Sequence, residues 1–190
     1  MSAADSQFQT DPEIAVLVER ARKAQQAFEM FGQQEVDAIV KAMGKYVFDN
    51  AEELSRMAIE ETGIGVFEDK VLKKKGKSRT IWNSLKGKPM GVVGAVTPIT
   101  NPVVTPMCNG MFALKAGNAV IFAPHPKAQK CAEHLTEEFR RIAKEHGAPE
   151  DLIQVVKEGS ITKTQQLMQS VDVVVATGGG AMVKSAYSSG

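Results

Sequence analysis

The sequence predicts an α/β fold in which N-terminal helices precede a doubly wound parallel sheet. Two observations carry this. In the first third of the chain, apolar side chains recur every three to four positions, the period of a helix with one buried face. From Gly91 onward, short and nearly continuous apolar runs alternate with helical stretches. That alternation marks parallel strands buried on both faces by right-handed crossover helices.

The elements follow in order. Thr10-Asp11-Pro12 reads as a cap followed by proline in a first helical turn. Ile14, Leu17, Val18, Ala21, Ala24, Phe28 and Phe31 then share one face, and Gly32 is expected to end that helix. Val36, Ile39, Val40, Met43 and Val47 mark a second helix. Asp49 or Asn50 is placed to cap a third, with Leu54, Met57 and Ala58 inward, before a turn at Thr62-Gly63-Ile64-Gly65. A fourth helix, from about Val66 to Leu85, carries Val71, Leu72, Ile81, Trp82 and Leu85, with Gly76 weakening its middle. Four strand–helix units come next. Strands are expected at Gly91–Val96, Ala119–Phe122, Leu152–Val156 and Val171–Ala176. Their helices are expected at about Val103–Ala116, Ala128–Glu145, Thr162–Met168 and Ala181–Tyr187. Residues 1–88 thus read as a helical region packing on an α/β unit, 89–190. A fifth strand would extend the sheet, so the chain reads as the first part of something larger.

Composition narrows the classes. The 190 residues, 43% apolar and 24% charged, suit a globular protein with a real core. A net charge of +1 argues against nucleic acid or membrane as partner, and no apolar stretch is long enough to span a bilayer. The polar start is not a signal peptide, and cytoplasm is the default location. Cys108 and Cys131 do not form a metal or redox spacing, and no metal is expected. The basic run at Lys70, Lys73, Lys74, Lys75, Lys77 and Arg79 reads first as a solvated helix face, with a weak pull on anionic cofactors as its functional alternative.

In doubly wound sheets ligands sit beyond the carboxyl ends of the strands. That rule selects three loops. Thr177-Gly178-Gly179-Gly180 brings bare backbone to a helix N-terminus, a place for a pyrophosphate; a packing turn is the plainer reading. Val183 stands where a dinucleotide fingerprint or an ATP-type phosphate loop needs its glycine. Ala123-Pro124-His125-Pro126 lies where an adenosine ribose would bind, without the usual acidic residue; His125 is either a ribose or phosphate donor or an exposed loop histidine. Thr97-Pro98 and Asn101-Pro102 hold a carboxamide on a stiffened loop. Asn101 could donate to an oxyanion formed at an attacked carbonyl, or bond its own turn. Cys108, inside the following helix, is a weak candidate nucleophile.

These stretches resemble the aldehyde dehydrogenase superfamily, in its CoA-acylating branch. The similar segments are ETGIGVFEDKVLK (60–72), GVVGAVTPITNP (91–102), ALKAGNAVIFAPHPKAQ (113–129) and VVVATGGGAMVKSAYSSG (173–190). The resemblance implies the Rossmann-like cofactor domain of that fold, incomplete here. It implies Asn101 as an oxyanion-hole donor, with Thr97, Pro98, Ala123, Pro124, His125, Gly178, Gly179 and Gly180 at the cofactor. The reaction implied is oxidation of a small aldehyde to acyl-CoA, with NAD or NADP and CoA as co-substrate. A catalytic cysteine is expected beyond residue 190, so these residues alone are expected to be inactive. The branch further implies a homo-oligomer in the cytoplasm, including microcompartments or filaments. A non-catalytic nucleotide-binding or assembly module is the alternative.

Overall fold

The computed structural model describes residues 10–82 and 87–189; the expected helix position of Leu85 lies outside them, as does Gly190. Helices α1 (Pro12–Phe28), α2 (Gln33–Asp49), α3 (Ala51–Thr62) and α4 (Phe67–Trp82) come first. Then β1 (Val92–Thr97), α5 (Val104–Lys115), β2 (Ala119–Pro124), α6 (Gln129–Glu145), β3 (Ile153–Val155), α7 (Ile161–Ser170), β4 (Val173–Ala176) and α8 (Gly180–Tyr187) alternate. The four strands form one parallel sheet in the order β3-β2-β1-β4. β1 and β2 are buried along their full lengths, which accounts for their unbroken apolar runs.

The strand order sets the layers. The chain steps outward from β1 to β3 through α5 and α6, which pack on one face of the sheet. It then crosses back through α7 to β4, so α7 joins α1 and α8 on the other face. Helices α2 to α4 form an outer layer against α5 and α6. The core runs through all of this, from Ile14, Phe28, Ile39 and Met43 to Met107, Leu114, Phe122 and Phe139.

The cap expected at the start of the chain holds, and several other local expectations shift. Asp11 caps α1, its side chain accepting from the Glu13 N–H at 2.9 Å. The helix stops at Phe28, before Gly32. Gly32 instead opens α2, its N–H bonded to Glu35 Oε2 at 2.7 Å, and Phe31 folds back on the Phe28 ring at 5.1 Å. Asn50 joins α2 to α3, but its amide donates to Tyr46 O rather than its oxygen capping α3. In α4 the apolar reading fails twice: Leu72 is 73% exposed, while Lys74 is buried. Helix α4 packs against α2, α3 and α5, so tertiary packing overrides the pattern of its own residues.

Candidate functional site

Between β1 and β4 the sheet reverses its winding, and the crevice of a doubly wound sheet opens at such a point. There main-chain bonds tie neighbouring strand ends together. His125 N–H donates to Thr97 O (3.1 Å), Thr177 N–H to Val96 O (3.0 Å), and Val156 N–H to Phe122 O (2.9 Å). Beyond these clasps lies a cleft of about 850 Å³. Its walls are the loops 97–101, 123–127 and 177–179, joined by Ser160, Ile161 and Thr164 of the α7 start and by Met182. Thr97, Pro98, Asn101, Ala123, Pro124, His125, Gly178 and Gly179 all line it, whereas Gly180 begins α8 and is not among the lining residues. The α7 contribution was not read from the sequence; Ser160, which caps α7 by accepting from the Lys163 N–H at 3.1 Å, was the available signal.

The three glycines are not there for backbone strain, since none has a positive φ. A Cβ on Gly179 or Gly180 would meet nothing within 4 Å, and one on Gly178 would press on Met182 at 3.2 Å. Two bare Cα atoms therefore border open space where α8 begins, beside the unpaired N–H groups of a first helical turn. On the opposite wall His125 Nδ1 accepts from the Lys127 N–H at 3.1 Å. The ring proton of the neutral form is thereby placed on Nε2, the nitrogen available to a ligand. Among the described residues no acidic side chain lines the cleft, and Lys127 does.

Asn101 sits at the mouth, half-buried, between Pro98 and the buried Pro102. Its backbone carbonyl accepts from the Thr105 N–H at 3.2 Å and so leads into α5. Its side chain is oriented by Lys73, whose Nζ lies 3.3 Å from Asn101 Oδ1. An ammonium only donates, so the carboxamide oxygen must face α4 and the NH₂ must face the other way. That NH₂ makes one long contact, 3.4 Å to Thr100 Oγ1, which leaves a second hydrogen for a ligand oxygen. Next to it Lys70 Nζ donates to Thr100 O at 3.3 Å. These contacts join positions 28 and 30 apart, and no local pattern announces them.

Neither cysteine is set up as a nucleophile. Cys131 is fully buried, and its thiol is pushed far up by burial and by the neighbouring Glu61 carboxylate. Glu61 caps α6, accepting from the Lys130 N–H (2.6 Å) and the Cys131 N–H (2.8 Å). The Cys108 thiol is also raised, by burial, against a smaller pull from Lys77. Among the described residues no group of three or more His, Cys, Asp or Glu side chains could hold a metal ion. No helix among them is long and apolar enough to cross a membrane.

Known proteins resemble this chain in sequence and in fold. The profile of the aldehyde dehydrogenase family matches residues 65–189. The chain is 49% identical to a succinate-semialdehyde dehydrogenase (acetylating) of Clostridium kluyveri, over 93% of this chain and 43% of that protein. It is 44% identical to a sulfoacetaldehyde dehydrogenase of an Acholeplasma species, over 91% and 40%. Among solved structures it resembles a propionaldehyde dehydrogenase of Rhodopseudomonas palustris with bound CoA and an acylated cysteine. The TM-score there is 0.84, with 34% identity over 96% of this chain and 46% of that one. The chain thus spans less than half the length of these relatives.

Proposed function

The chain belongs to the aldehyde dehydrogenase family, and from that premise we propose that it supplies the cofactor cleft and the oxyanion donor of a CoA-acylating enzyme. The observation that carries this reading is the Asn101 carboxamide, held at the cleft mouth with its oxygen on Lys73 and its NH₂ unclaimed except for one long contact.

The chemistry is a two-stage acyl transfer. A cysteine thiolate adds to the aldehyde carbon, a C–S bond forms, and the carbonyl electrons move onto oxygen. Asn101 Nδ2–H donates to that oxygen where its negative charge develops. The Lys73 charge behind the carboxamide polarises it and makes the donor stronger. The cleft walled by His125, Lys127, Gly178 and Gly179 would hold a nicotinamide dinucleotide, which would supply the hydride acceptor for passage from adduct to thioester. CoA thiolate then attacks the thioester and releases the enzyme sulfur. Burial raises the thiols of both Cys108 and Cys131, which disfavours either of them as this nucleophile. The cleft accepts a dinucleotide without an acidic ribose anchor. Lys127 on its wall favours tolerance of a 2′-phosphate, so both NAD⁺ and NADP⁺ are expected to serve.

The test is direct. The complete protein is incubated with a short aldehyde, CoA and each nicotinamide cofactor, and the products are separated. Acyl-CoA formed in step with reduced cofactor supports the reading. Free carboxylic acid in place of acyl-CoA, or cofactor binding without turnover, would refute it in favour of a hydrolytic enzyme or a binding module.

A further inference from the structure

The turn between α3 and α4, Thr62-Gly63-Ile64-Gly65, is not among the residues that line the cleft, yet its two flanks reach the loops that do. On one flank Glu61 accepts from the Lys130 and Cys131 N–H groups, which ties the turn to the start of α6, just past the 123–127 loop. On the other flank Lys70, early in α4, donates from Nζ to Thr100 O at 3.3 Å. That carbonyl belongs to the same peptide unit as the N–H of Asn101. The next peptide unit is held as well, since Asn101 O accepts from the Thr105 N–H at 3.2 Å. Asn101 is thus held in three places: by Lys70 before it, by Thr105 after it, and by Lys73 on its carboxamide oxygen. Lys70 and Lys73 stand three positions apart on α4, a spacing that puts both on one side of the helix. The path of Lys70 is built into the turn. Gly65 has φ +98°, and a Cβ there would lie 2.5 Å from Lys70 Cε and 3.2 Å from its Nζ. These atoms are the far end of a flexible stem, so a side chain at position 65 would displace the ammonium before it displaced the fold.

We propose that Lys70, given its path by Gly65, is a positioning residue for the oxyanion donor, fixing the peptide plane from which the Asn101 carboxamide is aimed. The inference rests on the reading of Asn101 as that donor. Lys73 sets which way the carboxamide faces; Lys70 sets where the residue stands. Pro98 and Pro102 stiffen the loop, but neither has an N–H with which to hold it to a neighbour. The hold comes from α4, whose leading turn is itself anchored through Glu61. A donor to a developing oxyanion works over a narrow range of distance, and a misplacement of about 1 Å can cost about 100-fold in rate. Lys70 does not line the cleft, so a change there should spare the binding of the dinucleotide.

The experiment measures kcat/KM of the complete protein for propionaldehyde and succinate semialdehyde, with saturating CoA and nicotinamide cofactor, and the KM for that cofactor. Wild type is compared with Lys70→Met, Lys70→Arg, Gly65→Ala, Asn101→Ala and the double variant Lys70→Met with Asn101→Ala. Lys75→Met serves as the control for lost charge, because its ammonium lies over the Phe48 ring, 5.8 Å from the centroid. Lys70→Met should lower kcat/KM about ten-fold or more and leave the cofactor KM nearly unchanged. Lys70→Arg should recover most of that loss, and Gly65→Ala should reproduce it. On top of Asn101→Ala, Lys70→Met should cost less than about two-fold, since the donor it aims is already gone. Lys75→Met should match wild type. An unchanged kcat/KM in Lys70→Met overturns the inference and leaves Asn101 as the donor. So does a full ten-fold loss that persists in the double variant, or an equal loss in Lys75→Met. Wild-type rates in a folded Gly65→Ala remove the role given to Gly65; if that variant fails to fold, the Lys70 variants decide alone. An Asn101→Ala protein as fast as wild type removes the donor reading, and this inference with it, as does a wild type that turns over neither aldehyde.

Discussion

Lys74 offers a prediction whose size follows from its surroundings. The side chain is 2% exposed, and its Nζ donates to Ser55 Oγ at 3.0 Å. Burial first, then repulsion from Lys70, lowers its pKa from the ordinary 10.5 to about 8. In the unfolded chain the ammonium keeps its proton up to about pH 10.5; in the fold it releases it near pH 8. Between those values the unfolded chain binds more proton than the folded one, so stability rises with pH across the window. Below it, the folded protein carries a cost of about 3 kcal/mol, at roughly 1.4 kcal/mol per pH unit of difference. Lys74→Met keeps the length of the chain and removes the charge. It gives up one hydrogen bond, worth about 1 kcal/mol. Ser55 Oγ still donates to Ala51 O at 2.6 Å. The variant should therefore be about 2 kcal/mol more stable near neutral pH, and the gain should vanish toward pH 10.5. Urea denaturation of both proteins over that range provides the comparison. Parallel stability curves, or a variant less stable than wild type at neutral pH, would refute the reasoning.

Three more outcomes are expected. Asn101→Ala in the complete enzyme should lower kcat by about 100-fold or more while leaving the KM for the dinucleotide nearly unchanged; equal effects on both would make Asn101 a positioning residue for the cofactor. Gly179→Ala should leave the melting temperature where it is, because its Cβ meets no neighbour, and should weaken NAD(P)H binding by about ten-fold as seen by fluorescence titration. Unchanged binding would return the glycine turn to a packing role. Glu61→Gln should cost about 1 kcal/mol in denaturant titrations, since the anionic cap of α6 is lost; a loss under a few tenths would show that the two N–H groups find other partners.

Much of this architecture was legible in the residues, because burial on both faces leaves a simple mark. β1, up to Thr97, and β2 are apolar runs, and each lies within two residues of its expected place. The three loops of the cleft followed from the rule for carboxyl strand ends, and Asn101 stood out between its prolines. What stayed hidden depends on contacts between distant positions. Lys74 belongs to a charged run that reads as solvated, and only the neighbours of α4 bury it. Lys73 orients Asn101 across 28 positions. Gly32 looked like a helix stop, but Glu35 supplies the cap that makes it a start. The Ser160–Thr164 wall of the cleft lies on the crossover that brings α7 back over the sheet, and that path is set by strand order rather than by local spacing.

The backbone clasps at the three strand ends separate two kinds of inheritance. Thr97, Val96 and Phe122 hold the root of each loop through main-chain carbonyls, which no side-chain replacement can remove. Beyond the roots, His125, Lys127, Thr177 and Thr100 project from exposed backbone. Substitution at these tips alters what the cleft grips while the frame beneath stays in register. A scaffold arranged this way can diversify its chemistry one residue at a time, with little penalty in foldedness at each step.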